Sequence, residues 1–135
     1  MIHYTALSAE DPAWIREMSQ MATAIVREHF DPLIGKEQND YMLRMFQTEQ
    51  AIEEQLKNGD QYFFVREDDR NLGFLAFYPK GDALYLSKFY LYKAERGKGY
   101  AHQMLDFVIS SAKKRNLNSI GHGFYMDDYV YRLEL

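Results

Sequence analysis

The stretch Arg96-Gly97-Lys98-Gly99-Tyr100-Ala101 has the residue types of an anion-binding turn. An apolar run over residues 84–92, predicted to be a strand, leads into it, and an amphipathic helix predicted over residues 99–115 follows it. The two glycines allow a ligand to approach the backbone closely. The start of a helix adds free N–H groups and the positive end of the helix dipole, and Arg96 and Lys98 add positive charge. The sequence therefore predicts a binding site for a phosphate group here.

Two well-known phosphate-binding loops fit these glycines less well. A dinucleotide-binding fingerprint needs a third glycine and an acidic residue after the next strand. A Walker loop ends in Gly-Lys followed by Ser or Thr, whereas Gly99 is followed by Tyr100. A nucleotide-binding domain of another type is therefore a less favoured alternative. A second alternative is that the glycines only form a tight loop and bind no ligand.

Composition narrows the class of protein. The 135 residues are expected to form one domain over residues 1–135. The absence of cysteine excludes disulfides, a thiol nucleophile and thiolate metal ligands, and it fits a cytoplasmic protein. A net charge of −4 argues against a nucleic-acid-coating role, and we expect no nucleic-acid partner. No apolar run approaches the ~18 residues of a membrane span, and no histidines have metal-ligand spacing, so neither a membrane nor a metal partner is expected.

The hydrophobic periodicity predicts the elements that position this turn. Residues 2–7 alternate like a strand, residues 12–30 have helical spacing that Asp31-Pro32 should end, and residues 37–57 have helical spacing again. Thr48 can cap a new start within that second stretch, whose Met45 and Phe46 are expected to face inward. Residues 61–66, 72–78 and 84–92 read as an antiparallel meander, and residues 124–135 as a final strand. The fold class is therefore α/β (α+β), a mixed, mostly antiparallel sheet flanked by helices.

The turn and its surroundings resemble a known family. Arg96, Gly99 and Ala101 have the spacing Arg-x-x-Gly-x-Ala between an apolar strand and Met104-Leu105, which is similar to the coenzyme-A-binding motif of the GNAT N-acetyltransferase superfamily. The order of elements from residue 1 to about residue 120 is similar too. Residues 46–50 and 62–64 resemble small bacterial members, including polyamine acetyltransferases.

The resemblance implies a cofactor and a reaction. The cofactor would be acetyl-CoA, and the acetyl group would pass directly to a primary amine of a small molecule, a polyamine being one candidate. A backbone N–H at about Leu91 would polarise the thioester carbonyl, and no covalent enzyme intermediate is needed. The backbone groups that would hold the pantetheine arm and thioester belong to Phe89, Tyr90 and Leu91. Those that would hold the pyrophosphate belong to Arg96, Gly97, Lys98, Gly99, Tyr100 and Ala101.

The chain departs from the family pattern after the cofactor helix. The family continues with a strand, a helix and a last strand, but here a strand that starts near Asn116 meets the tail directly. We therefore expect the penultimate strand and last helix to be absent, because a strand–helix–strand unit takes ~30 residues or more. The cofactor strand would then lose its splayed neighbour, and exposed sheet edges would favour a homodimer.

The general acid and base are not identified by the sequence. The family's tyrosine acid cannot be carried over, and Ser87 and Lys88 occupy the region where a glutamate base often lies; Lys88 is a poor base unless desolvated. Tyr85, Tyr90 and His29 are the remaining candidates, although each also fits an ordinary core position. A non-catalytic coenzyme-A-binding or interaction module with a degenerate GNAT fold is therefore the alternative function.

Overall fold

Six strands form one sheet in the computed structural model, which describes residues 2–122 and 132–134. In sheet order, the strands are β1 (Ile2–Ala6), β2 (Gln61–Glu67), β3 (Arg70–Lys80), β4 (Ala83–Leu91), β5 (Ser119–His122) and β6 (Arg132–Glu134). All neighbouring strands pair antiparallel except β4 and β5, which are parallel. The predicted mixed, mostly antiparallel sheet with flanking helices is confirmed.

The described residues form four α-helices that flank the sheet. They are α1 (Pro12–Ile34), α2 (Lys36–Phe46), α3 (Glu49–Lys57) and α4 (Tyr100–Lys114), and a short 3₁₀ turn, Lys93–Glu95, lies between β4 and α4. None of the helices that the structure describes is long and apolar enough to cross a membrane.

The sheet separates two apolar layers. The layer under α1 and α3 contains Leu7, Ile15, Met18, Met21, Ala22, Ile25, Ile52, Tyr62, Phe64, Phe74 and Ala76. The layer under α4 contains Val65, Leu72, Leu75, Phe77, Leu84, Leu86, Leu91, Met104, Val108, Ala112 and Ile120. Because both faces are covered, the central strands are fixed from two sides and can hold a site at their ends.

Helix α1 continues past the point where the sequence predicted its end. Pro32 lies inside the helix, which runs to Ile34 and ends at Gly35. The prediction that Asp31-Pro32 stops the helix is wrong because the proline sits in the last turn. It removes only one helical N–H there, and the Gly35 N–H still donates to the Asp31 carbonyl at 3.0 Å.

The stretch predicted as helical over residues 37–57 forms two helices. Thr48 caps α3 as expected, because its hydroxyl accepts the Ala51 N–H at 3.1 Å. The inward orientation predicted for Met45 and Phe46 is wrong: they are 52% and 50% exposed. Helix α2 instead buries Asn39 and Leu43. The Asn39 amide donates to the Val26 carbonyl and to Asp31 on α1, which holds that face inward.

The strand beside β4 is present, so the prediction that the penultimate strand is missing is wrong. Strand β5 pairs in parallel with the first half of β4, from Ala83↔Ser119 to Leu86↔His122. The strand that the sequence predicted to start near Asn116 is β5, which begins at Ser119. The predicted loss of the last helix, and most of the tail strand predicted over residues 124–135, fall on residues 123–131 and 135, outside the described residues.

Candidate functional site

The glycine-rich turn places an uncapped helix start beside open space. Gly97 and Gly99 have φ values of 77° and 83°, which glycine adopts without strain. A Cβ added at either glycine would meet nothing within 4 Å. Gly99 is the N-cap of α4, where no side chain caps the helix and the first turn contains no acidic residue. The first backbone N–H groups of α4 can therefore bind an anion that approaches the glycines.

The cations of the turn are held by neighbouring groups. The buried carboxylate of Glu95 accepts a hydrogen bond from Lys98 Nζ at 3.0 Å and another from Arg70. Lys98 and Arg70 together hold the pKa of Glu95 below its ordinary value. The Arg96 guanidinium donates to the Leu91 carbonyl at 3.4 Å. These contacts fix the shape of the turn, and they balance part of the positive charge that the sequence suggested.

The described part of β5 pairs with the first half of β4. The register runs from Ala83↔Ser119 to Leu86↔His122, where the described part of β5 ends. The Tyr92 N–H donates to the Leu72 carbonyl at 3.0 Å and therefore points toward β3. Since N–H groups alternate along a strand, those of Leu91 and Phe89 are directed to the opposite side, away from β3.

The sequence model of the acetyltransferase (GNAT) family matches residues 22–125. The chain belongs to the GNAT acetyltransferase family. No curated protein sequence matches the chain.

Solved structures of GNAT acetyltransferases share this fold. The PaiA N-acetyltransferase of Thermoplasma acidophilum, solved in complex with coenzyme A, is similar at a TM-score of 0.79 and 14% identity, over 95% of this chain and 82% of that one. A GCN5-related N-acetyltransferase from Rhodopseudomonas palustris is similar at 0.70 and 14%, over 93% and 74%. The ribosomal-protein-S18-alanine N-acetyltransferase of Escherichia coli is similar at 0.60 and 13%, over 90% and 66%.

In this GNAT domain, the backbone of Tyr90 faces the neighbouring strand and its ring faces one of the two apolar layers. The alternation along β4 directs its backbone N–H toward β3, unlike those of Phe89 and Leu91. Its ring packs in the α1 layer, 5.4 Å from the Phe74 ring. Burial raises the pKa of Tyr90 to about 12, so its hydroxyl is protonated at neutral pH.

Tyr85 and His29 contact other aromatic rings. Tyr85 is in the first half of β4, where its ring packs 5.1 Å from the Tyr78 ring and lies under Lys80 Nζ at 5.2 Å. His29 is near the end of α1, with its ring edge against the Phe30 ring at 4.6 Å. The three catalytic candidates thus have different ring partners.

The sequence pointed to Ser87 and Lys88 but missed their neighbour Asp60. Asp60, just before β2, accepts a hydrogen bond from Ser87 Oγ at 3.3 Å. Burial raises the pKa of Asp60, an effect that Lys88 opposes. Burial lowers the pKa of Lys88, an effect that Asp60 opposes. The Asn58-Gly59 pair indicated only the end of a helix, so no local signal singled out Asp60.

The described part of this GNAT domain contains no group of three or more histidine, aspartate or glutamate side chains arranged to hold a metal ion. The acidic side chains named above are instead engaged with basic or hydroxyl groups of the chain itself.

Proposed function

We propose that the single domain expected over residues 1–135 is an acetyl-CoA-dependent N-acetyltransferase that acetylates a primary amine of a small molecule. The observation that carries the proposal is the uncapped start of α4 behind Gly97 and Gly99, where an added Cβ would meet nothing within 4 Å. Membership of the GNAT family supports the reaction class, and the similar PaiA protein was solved with coenzyme A.

The turn fits a pyrophosphate group. An added Cβ at Gly97 or Gly99 would point into space that a phosphate could fill, and no acidic side chain competes for the first N–H groups of α4. We assign the pyrophosphate to the backbone of Arg96, Gly97, Lys98, Gly99, Tyr100 and Ala101.

The second half of β4 fits the pantetheine arm. We assign that arm to backbone groups of Phe89, Tyr90 and Leu91. Acetyl-CoA, when bound, supplies an activated acetyl group as a thioester. The Leu91 N–H, directed away from β3, is the donor that we assign to the carbonyl oxygen of that thioester, where hydrogen bonding stabilises developing negative charge. The chain contains no cysteine, which agrees with direct attack by the amine rather than a thiol intermediate.

The acceptor is proposed as a small amine, with polyamines as one candidate class. The E. coli protein named above is, by its description, an acetyltransferase of a ribosomal-protein alanine. Protein N-termini therefore belong in any acceptor screen beside free amines.

Two measurements test this function. Calorimetry with acetyl-CoA and with coenzyme A tests the cofactor, and release of free thiol in the presence of polyamines, amino acids, aminoglycosides and a peptide with an N-terminal alanine tests transfer. We expect binding of the cofactor and thiol release with at least one amine. No cofactor binding would overturn the proposal, and binding without turnover on any amine would favour the non-catalytic module.

A further inference from the structure

A β-bulge at Ser87 changes the face of the sheet to which β4 directs its side chains. Phe77 pairs with Leu86 and Ala76 pairs with Lys88, which leaves Ser87 as the extra residue. Before the bulge, Leu86 packs in the α4 layer; after it, Tyr90 packs in the α1 layer. Residues two apart on a regular strand share a face, so without the bulge Lys88 would follow Leu86 into the α4 layer. The bulge moves it to the α1 side.

The bulge directly precedes the residues that we assign to the pantetheine arm. Lys88 follows Ser87 and stands immediately before Phe89, on the α1 side of the sheet. The assignment of that arm to Phe89, Tyr90 and Leu91 therefore places Lys88 beside the cofactor region.

The neighbours of Lys88 form a half-buried polar site with an open rim. Ser87 Oγ lies 3.3 Å from Asp60 Oδ1 and 3.2 Å from the Ala76 carbonyl, so Ser87 ties the carboxylate to the bulge. Lys88 Nζ lies 5.9 Å from the centre of the Phe46 ring, and Phe46 is 50% exposed. The ammonium end of Lys88 therefore lies at the edge of the site, beside a ring that faces solvent.

The charges around Lys88 come mainly from Asp60. Burial lowers the pKa of Lys88, whereas the Asp60 carboxylate raises it. Other titratable groups near Asp60 include Tyr62 and Tyr78, and Tyr90 interacts with Tyr62; burial raises the pKa of all three tyrosines, so they are uncharged near neutral pH. Tyr62 also donates its hydroxyl hydrogen to Gln55 Oε1 at 2.6 Å. Desolvation thus makes the neutral form of Lys88 easier to reach near neutral pH than the neutral form of an exposed lysine. The Asp60 carboxylate opposes this effect and so influences the fraction of Lys88 that is neutral.

We propose that neutral Lys88 is the general base that deprotonates the acceptor ammonium, and that Asp60 is a positioning residue that controls its charge. The proposal rests on the proposed function. The Lys88 Nζ lone pair takes one proton from R–NH₃⁺, which gives R–NH₂ and a protonated Lys88. The amine then forms the C–N bond, the C–S bond breaks with its electron pair on sulfur, and the surplus proton on nitrogen goes to the thiolate. Lys88 finally releases its proton to water.

The pH dependence of kcat/KM tests this assignment. Lys88→Arg keeps the charge but cannot act as a base, and we expect kcat/KM to fall by about 10²–10⁴-fold. Asp60→Asn should stay active. The ascending limb of its kcat/KM profile against pH should move to lower pH, because the carboxylate no longer favours the charged form of Lys88. The opposite pattern, an inactive Asp60→Asn and an active Lys88→Arg, would overturn the assignment and make Asp60 the base.

Controls separate this inference from the proposed function. Lys57→Arg changes an exposed lysine on α3 that pairs with Glu53, and it should leave turnover unchanged. Coenzyme A affinity measured on each variant shows whether the cofactor half is folded, and Lys88→Gln must show the same loss of turnover as Lys88→Arg. A wild-type protein that turns over no amine would overturn the proposed function together with this inference. An active wild type whose Lys88 variants are equally active would overturn the inference alone.

Discussion

Gly73 on β3 lies directly against the carbonyl oxygen of Tyr90 on β4. A Cβ at Gly73 would overlap that oxygen and would also crowd the Cα of Leu91, which is the register partner of Gly73. Gly73 therefore allows the last residues of β4 to approach β3 closely. This contact holds the end of β4 that leads to the glycine-rich turn.

Gly73→Ala should destabilise the fold. The new methyl group meets backbone atoms, which cannot rotate away as a side chain can, so the strands must shift. We expect the free energy of unfolding to fall by about 1–3 kcal/mol, measured by urea denaturation. Gly121→Ala on β5 is the matched control, because its Cβ would meet only the movable Tyr85 ring, at 3.3 Å. Equal losses for the two variants would contradict the role of backbone contact at Gly73.

The sequence predicted most of the sheet because the strands have local signals. Residues 61–66 and 72–78 are short apolar runs around a polar turn, and they form β2 and β3 as neighbours. The glycine-rich turn before α4 was equally visible, because glycine spacing and a helix start are local features. Thr48 likewise carried a local cap signal, which the Ala51 hydrogen bond confirms.

Other features depend on contacts between distant residues, which the sequence does not reveal. The bulge at Ser87 follows from the register of β4 against β3, and the meeting of Asp60 with Ser87 joins residues 27 positions apart. Met45 and Phe46 fit a helical stripe, but polar contacts between α1 and α2 turned another face inward. The homodimer and the cytoplasmic location stay predictions.

Thr48→Ala should weaken the start of α3. The hydroxyl of Thr48 accepts the Ala51 N–H at 3.1 Å, and its removal leaves that donor to water. We expect the free energy of unfolding to fall by about 0.5–2 kcal/mol, measured by urea denaturation. Thr48→Ser keeps the hydroxyl and should recover most of the loss. A Thr48→Ser protein as unstable as Thr48→Ala would exclude capping as the cause.

Glu95 should make stability depend on pH in the acid range. Lys98 and Arg70 hold its pKa below the ordinary value of 4.5, so the folded state favours the ionised carboxylate. Its contribution is fully present above the unfolded pKa and is lost as the pH falls through the folded pKa. The difference in unfolding free energy between wild type and Glu95→Gln should therefore be largest at pH 7 and shrink steadily below about pH 4.5.

Lys98→Met provides the matched test of that cause. The hydrogen bond from Lys98 makes the largest contribution to the lowered pKa of Glu95, so removal of Lys98 should raise that pKa toward 4.5. The change in unfolding free energy caused by Glu95→Gln should then depend less on pH in the Lys98→Met protein than in the wild type. Denaturant titrations at pH 7, 5, 4 and 3 measure all four proteins, and an unchanged difference in the Lys98→Met background would contradict the ion pair as its source.

Gly99→Glu should abolish coenzyme A binding while α4 stays folded. The glutamate places bulk and negative charge at the N-cap of α4, in the open space that we assign to the pyrophosphate. Calorimetry with coenzyme A measures the loss, and circular dichroism checks the helix.

The positive φ of 83° at Gly99 also strains any larger residue, so a control must carry the same strain. Gly81→Glu, at φ 63° in the β3–β4 turn with equally open surroundings, supplies that control. It should bind coenzyme A like wild type. Wild-type affinity in Gly99→Glu would exclude this turn as the cofactor site, because no anion could keep its place against that carboxylate.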